Sequence, residues 1–148
     1  MTTQLDVEKL SKQIQQQFPG AVQDAQGDYI LLKSDYLADV ARYCHDTPAL
    51  ALDFLSSVTG VDYIDYFELV YHLVSIDHNH SIVLKTRAYG RDDPHVPSLT
   101  GIWQGATLQE REVYDLMGIR FTGHPYMKRI FLWDTFQGHP HRKDFTGA

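Results

Sequence analysis

The chain has 148 residues, 43% hydrophobic and 22% charged, enough for one globular domain and too apolar for long disordered stretches. Its net charge of −6 argues against a nucleic-acid binder, which needs a basic face over the whole domain. No apolar run reaches the ~20 residues that span a bilayer, and the N-terminus lacks the basic start and apolar core of a signal peptide, so a soluble, intracellular chain is expected.

Leu5, Val7, Leu10, Ile14 and Phe18 recur at helical spacing and Pro19-Gly20 closes the run, which predicts a helix over 5–18. Ala21–Ala25 and Tyr29–Lys33 read as two strands around Gln26-Gly27-Asp28. Ser34 or Asp35 can cap a second helix to about residue 45, with Leu37, Val40, Ala41 and Cys44 on one face. Residues 49–58 fit either a helix or a buried strand, and periodicity does not decide between them. Phe67–Ile76 and Ser81–Tyr89 form an expected antiparallel hairpin around Asp77-His78-Asn79-His80. A Gly/Asp/Pro-rich loop follows. Thr107-Leu108-Gln109-Glu110 has the form of a capping box and opens a helix over 108–117, with Gly118 at the left-handed stop. Ile119–Phe121 reads as a short strand. From Gly123 onward the chain is expected to be extended and rich in turns, held by Ile130, Phe131, Leu132, Trp133 and Phe136.

Charge is unevenly placed. Residues 1–119 carry 8 Lys/Arg against 17 Asp/Glu, whereas residues 120–148 carry 5 against 2 and add His124, His139 and His141. An acidic body with a basic tail suggests that the tail meets something negative. The single cysteine, Cys44, excludes an intrachain disulfide and any all-cysteine metal or iron–sulfur site, and reads as a small buried helix residue.

Glu110, Arg111, Glu112 and Asp115 crowd one short helix, with Arg129, Arg142 and Lys143 following. Arg111 and Asp115 are four apart and so lie one turn from each other. Two carboxylates could do acid–base chemistry. The other reading is a charge network that pins the C-terminal segment to the helix. No nucleophile, metal set or oxyanion loop accompanies the carboxylates, which favours the network. The two Gly-His-Pro triplets, at Gly123-His124-Pro125 and Gly138-His139-Pro140, fix each histidine in an extended backbone. The eight histidines show no metal-ligand spacing. Phosphate-cradling loops, a dinucleotide fingerprint and a nucleophile elbow are missing too.

The run Glu110-Arg111-Glu112-Val113-Tyr114-Asp115-Leu116-Met117-Gly118-Ile119 opens a long, ordered pattern. It continues with Phe121, Gly123-His124-Pro125, Lys128-Arg129-Ile130, Gly138-His139-Pro140 and Arg142-Lys143-Asp144-Phe145. This pattern resembles the C-type subunit of NADH–quinone oxidoreductase, which belongs to the peripheral arm of respiratory complex I. Val61-Asp62-Tyr63 and the hairpin match more loosely. Met117 stands where the family often has Phe, and Tyr126-Met127 where Asp-Leu is usual. Many relatives also continue with a C-terminal extension that wraps neighbours, which bears on contacts with more distant subunits.

The resemblance implies an α+β fold over 1–148. A small mixed, largely antiparallel sheet carries helices on it, and 120–148 follows as a basic, extended docking tail. It implies an architectural subunit of a proton-translocating NAD(P)H- or ferredoxin–quinone oxidoreductase, with no catalytic site and no cofactor in this chain. Iron–sulfur clusters, FMN and quinone would belong to partner subunits. The expected partners are the subunit resembling a hydrogenase large subunit, beside the quinone site, and iron–sulfur subunits, on the cytoplasmic side of a plasma or thylakoid-type membrane. The equivalent subunit of a related membrane-bound nickel–iron hydrogenase is the alternative. Glu110, Arg111, Glu112, Tyr114, Asp115, His124, Arg129, His139, Arg142, Lys143 and Asp144 are the expected network and docking residues.

Overall fold

A computed structural model describes residues 2–146; the first and the last two residues of the expected 1–148 domain lie outside the described residues. The elements run β1 (Thr3–Gln4), α1 (Val7–Gln17), β2 (Val22–Gln26), β3 (Tyr29–Leu32), α2 (Ser34–Asp46) and β4 (Phe54–Asp62). They continue with β5 (Tyr66–Ser75), β6 (His80–Tyr89), β7 (His95–Pro97), α3 (Ala106–Met117) and β8 (Arg120–Thr122). The main sheet has the order β2-β3-β6-β5-β4, with β1 also pairing with β6. Only the β3–β6 and β1–β6 pairings are parallel in that sheet, and the rest are antiparallel. Strands β7 and β8 make a separate parallel pair. The fold is α+β, with a mixed and mostly antiparallel sheet.

The hairpin β5–β6 sets the core. Phe67, Leu69, Tyr71 and Leu73 alternate inward on β5, and Ile82, Leu84, Thr86 and Ala88 do so on β6. Leu10 and Ile14 of α1, four of α2's apolar residues, and Val113 and Met117 of α3 complete the same cluster. The other face carries charge. Glu68 reaches Lys85 and Arg87 across the hairpin, and those cations lie over the rings of Tyr29 and Tyr66. One packed face and one wet face explain why the period-two pattern is readable in these strands.

Several boundaries differ from those the sequence predicts. Helix α2 begins at Ser34, so Lys33 is its cap residue and no side chain closes its start. Helix α3 starts at Ala106, which places Thr107 inside the first turn, and the capping box does not form. The turn before it runs straight into the helix, because Ala106 and Thr107 donate to the carbonyls of Trp103 and Gln104. Those bonds satisfy N–H groups that a capping side chain would otherwise serve. Strands β1 and β7 had no sequence signal, being too short to show alternation.

The ambiguous stretch ends as strand β4, and Thr59-Gly60 belongs to it. Gly60 is there for space. A Cβ at residue 60 would stand 3.0 Å from Val113 Cγ1 and 3.2 Å from Met117 Sδ, so the missing side chain lets α3 approach the strand. Gln109 of α3 completes that contact: its carboxamide accepts from Val58 N–H at 2.7 Å and donates to the Leu55 carbonyl at 3.4 Å. Gly60→Val is expected to lower stability by about 2 kcal/mol through overpacking, read as a drop in the denaturant midpoint with an unchanged slope.

Candidate functional site

Beyond β8, residues 123–146 contain neither helix nor strand. Such a stretch must find partners for its backbone elsewhere. It finds them on α3.

Asp115 is fully buried on α3. Its Oδ2 accepts three consecutive backbone N–H groups, from Ile130 at 3.2 Å, Phe131 at 2.7 Å and Leu132 at 3.0 Å. Oδ1 accepts from the Arg129 guanidinium at 3.0 Å. Burial alone would push this carboxyl up. The three amides and the guanidinium outweigh it and hold the group below the usual carboxylate range. The second nitrogen of Arg129 donates to the Gly138 carbonyl at 2.7 Å, and His139 Nδ1 donates to the Asp115 carbonyl at 3.0 Å. One turn of helix thus organises residues 129–139.

Arg111 does not pair with Asp115. Its guanidinium turns outward along the helix and donates to the carbonyls of Lys128 and Arg129, both at 2.9 Å. The ring of Tyr126 lies between the cations of Arg111 and Lys128. His124 sits near the start of α3, where Nδ1 accepts from Tyr126 N–H and Nε2 donates to the Thr107 carbonyl, each at 2.9 Å. Tyr114 is half-buried with its ring 5.9 Å from His139. Burial lowers the proton affinity of the His139 imidazole, and the nearby Arg129 and Arg142 charges add to the effect.

A second knot closes the end of the segment. Asp62, at the end of β4, holds Arg91 through both guanidinium nitrogens, at 2.7 and 2.8 Å, and accepts from Lys143 N–H at 2.9 Å. Arg91 also reaches Asp144 at 3.0 Å. The Arg91 hydrogen bond holds the Asp62 carboxyl well below its usual range, against the opposing effect of burial. Arg142 donates to the carbonyls of Met117 at 2.6 Å, Gly118 at 3.4 Å and Arg91 at 3.0 Å. Gly118 is left-handed, as its place after the helix predicts. A Cβ there would come within 2.6 Å of His139 Cδ2 and 2.8 Å of Arg142 Nη2, so the position needs glycine for space as well as for φ.

The sequence-predicted residues therefore divide. Asp115, Arg111, Tyr114, Arg129 and His139 meet in one network, and Arg142, Lys143 and Asp144 meet in the second. Glu112 is exposed and outside both. Glu110 is fully buried on the far side of the helix and faces the turn at Ser98 and Leu99. The tail's arginines are spent on the chain's own carboxylates and carbonyls. Asp62 and Arg91 were missed as partners of the segment, although Val61-Asp62-Tyr63 already stood out as a loose family match. The apolar anchors are corrected too: Ile130, Phe131 and Trp133 are exposed, the last two at 60% and 64%. Leu132 and Phe136 are half-buried, and Phe136 packs against Trp133 and Phe145. Among the described residues no group of three or more His, Cys, Asp or Glu is arranged to hold a metal ion. No helix there is long and apolar enough to cross a membrane.

A family model described as the 30 Kd subunit of respiratory-chain NADH dehydrogenase matches residues 30–148. The chain belongs to this family. It is 42% identical over 135 residues to the second C-type subunit of NADH-quinone oxidoreductase from Rhizobium meliloti (strain 1021), covering 86% of this chain and 73% of that one. The C-type subunit of the same enzyme from Roseiflexus sp. (strain RS-1) is 44% identical over 118 residues, or 78% of this chain and 67% of that one. A longer relative, the combined C/D subunit of Phocaeicola vulgatus, is 48% identical over 95 residues, 64% of this chain but 18% of its own length. Among solved structures, a chain of the membrane-bound sulfane sulfur reductase, an archaeal respiratory membrane complex, superposes with a TM-score of 0.73 at 28% identity, covering 93% of this chain and 84% of that chain. The relatives are subunits of an oxidoreductase complex, and the Glu110-to-Phe145 pattern that suggested the family lies inside the matched region.

Asp115→Asn should cost about 3 kcal/mol, because it leaves the Arg129 guanidinium buried without its counter-charge. Amide exchange at Ile130, Phe131 and Leu132 should accelerate while that of β5 stays slow. Acid should mimic the substitution. A carboxyl depressed in the folded state contributes stability above its unfolded value and loses it as pH falls through the folded one, so these three amides are expected to lose protection below about pH 4. Hydrogen exchange read by NMR or mass spectrometry checks both outcomes.

Proposed function

We propose that the chain is an architectural, cofactor-free subunit of a proton-translocating quinone oxidoreductase, and that residues 120–146 dock it onto a neighbouring subunit. One observation carries this reading: the segment's backbone is tied to α3 by side-chain hydrogen bonds, yet large apolar side chains stand on its outside. Tyr126, Ile130, Phe131 and Trp133 stand exposed on a stretch where Asp115 takes the amides of residues 130–132 and Arg111 and Arg129 take the carbonyls of residues 128, 129 and 138. Large aromatics held in place by their own backbone suit the centre of a protein interface, because little conformational freedom is lost when a partner covers them. Lys128 and Lys143, which the internal networks leave exposed, supply positive charge at the rim and match an acidic partner surface.

The partner favoured is the D-type subunit, resembling a hydrogenase large subunit. The combined C/D relative supports this choice, since a covalent link maintains two units beside each other at high effective concentration. Iron–sulfur subunits are the further neighbours, and they and the flavin subunit hold the redox groups. The assembly then faces the cytoplasm on a plasma or thylakoid-type membrane. One alternative is that the chain is the equivalent subunit of a complex I-related membrane-bound nickel–iron hydrogenase; the likeness to a sulfane sulfur reductase chain supports only that this fold serves membrane complexes of more than one chemistry. Whether the purified assembly reduces quinone or evolves hydrogen separates the two.

Phe131→Ala with Trp133→Ala is expected to abolish co-purification of the D-type subunit from solubilised membranes while the melting temperature of the isolated chain stays within about a degree, as surface changes do. Arg142→Ala should do the reverse first, lowering the melting temperature by loosening the α3 end. Wild-type recovery of the D-type subunit with the double variant would overturn the docking assignment.

A further inference from the structure

Glu110 is used by neither network, and nothing in the docking reading requires it. Its carboxyl is fully buried on α3. Oε1 lies 2.7 Å from Ser98 Oγ, and Oε2 accepts from Leu99 N–H at 2.8 Å. Ser98 Oγ is in turn 3.0 Å from Thr100 Oγ1, and both residues are only half-buried. Two hydroxyls therefore link a buried carboxyl to the surface.

The elements around Glu110 offer no counter-charge. From β5 comes Tyr71, whose hydroxyl is fully enclosed without a hydrogen-bond partner and close enough to feel the Glu110 charge. Asp62, on β4, is committed to Arg91. Arg120, on β8, is exposed and faces Asp93. On α3 and the segment packed against it, Arg111 and Arg129 are committed to Lys128, Asp115 and Gly138, and His124 to Thr107. The other ionisable groups of β5, Tyr66, Glu68 and His72, lie on or toward the charged face of the sheet. A buried carboxylate without a cation is costly, and the usual escape is to keep its proton.

We propose that Glu110 is a proton-binding site, loaded and emptied through Ser98 and Thr100, whose bound proton lets α3 close over Tyr71 and the Ser98–Leu99 turn. In the acid form Oε1–H donates to Ser98 Oγ, which turns its own hydrogen to Thr100 Oγ1. In the ionised form Ser98 donates back to Oε1, and the proton has passed to water. Leu99 N–H serves Oε2 in both states, so the turn stays anchored on one side while the other side switches direction. Burial pushes this carboxyl up to about 7, with the Leu99 and Ser98 hydrogen bonds opposing the shift, so both forms are within reach near neutrality. The sign is opposite to that of Asp115. A carboxyl raised in the folded state contributes stability that is complete below the unfolded value and is lost as pH rises through the folded one.

The test is a titration of the full chain carrying 13C-labelled glutamate side chains, followed by NMR from pH 4 to 9. The Glu110 carboxyl resonance is expected to move with a midpoint near 7, well away from the other glutamates. The midpoint should rise in Ser98→Ala, because of the two hydrogen bonds lost the one to the charged form is the stronger. The melting temperature of wild type should fall relative to Glu110→Gln as pH rises from about 4.5 to 7, then run parallel to it. A Glu110 midpoint in the ordinary carboxylate range would overturn the proposal, and so would an unmoved midpoint in Ser98→Ala. Because the NMR readout uses the wild-type chain, it decides the matter even if Glu110→Gln fails to fold. None of these readouts depends on the docking assignment.

Discussion

A single buried carboxylate orders the part of this molecule that matters most for its assignment. Asp115 collects three successive backbone amides and a guanidinium, and residues 129–139 take their course from that one acceptor. Hydrogen bonds to a charged group contribute about 1.5–3 kcal/mol each, so a cluster of this kind can fix a segment that has no helix or sheet of its own. The arginines extend the same principle in reverse. Arg111, Arg129 and Arg142 donate to main-chain carbonyls, using the planar fork of the guanidinium to hold separate stretches of chain together. Between them, donors and acceptors from side chains stand in for the ladder that a strand would have supplied.

This arrangement inverts the ordinary relation between core and surface. Apolar residues normally hold a segment down while charges face water. Here the charges hold the backbone from beneath, and Phe131, Trp133 and Ile130 are left on the outside. The basic character of the C-terminal stretch is consequently misleading when read as net charge alone. Most of its arginine charge is consumed within the fold, and what the segment offers outward is mainly aromatic surface with lysines at the margin.

The sequence made some of this legible and hid the rest for identifiable reasons. The hairpin was readable because β5 and β6 bury one face only. Gly118 was readable because a glycine after an amphipathic run has one common meaning. The role of Gly60 was hidden because a glycine that opens a turn and one that admits a neighbouring helix look identical in one dimension. The Arg111–Asp115 pairing was a fair inference from spacing, yet both groups found partners that spacing cannot report, since backbone amides and carbonyls carry no residue identity. Thr107-Leu108-Gln109-Glu110 fitted a capping box, but the preceding turn had already satisfied the helix start, freeing Glu110 for another task. The family pattern survived these local errors because it is spread along a stretch of more than thirty positions.

Gln109, the neighbour of Glu110 on α3, turns to the sheet. Strands β2 and β4 are the outer members of the main sheet, and each has a main-chain amide taken by a glutamine: Val22 N–H by Gln15 of α1, Val58 N–H by Gln109 of α3. A carboxamide has the same donor–acceptor pair as a peptide unit, so each helix contributes a counterfeit residue to the border of the sheet. Borders left open invite a second copy to zip alongside. Each glutamine takes one border amide that a second copy pairing along that strand would otherwise use.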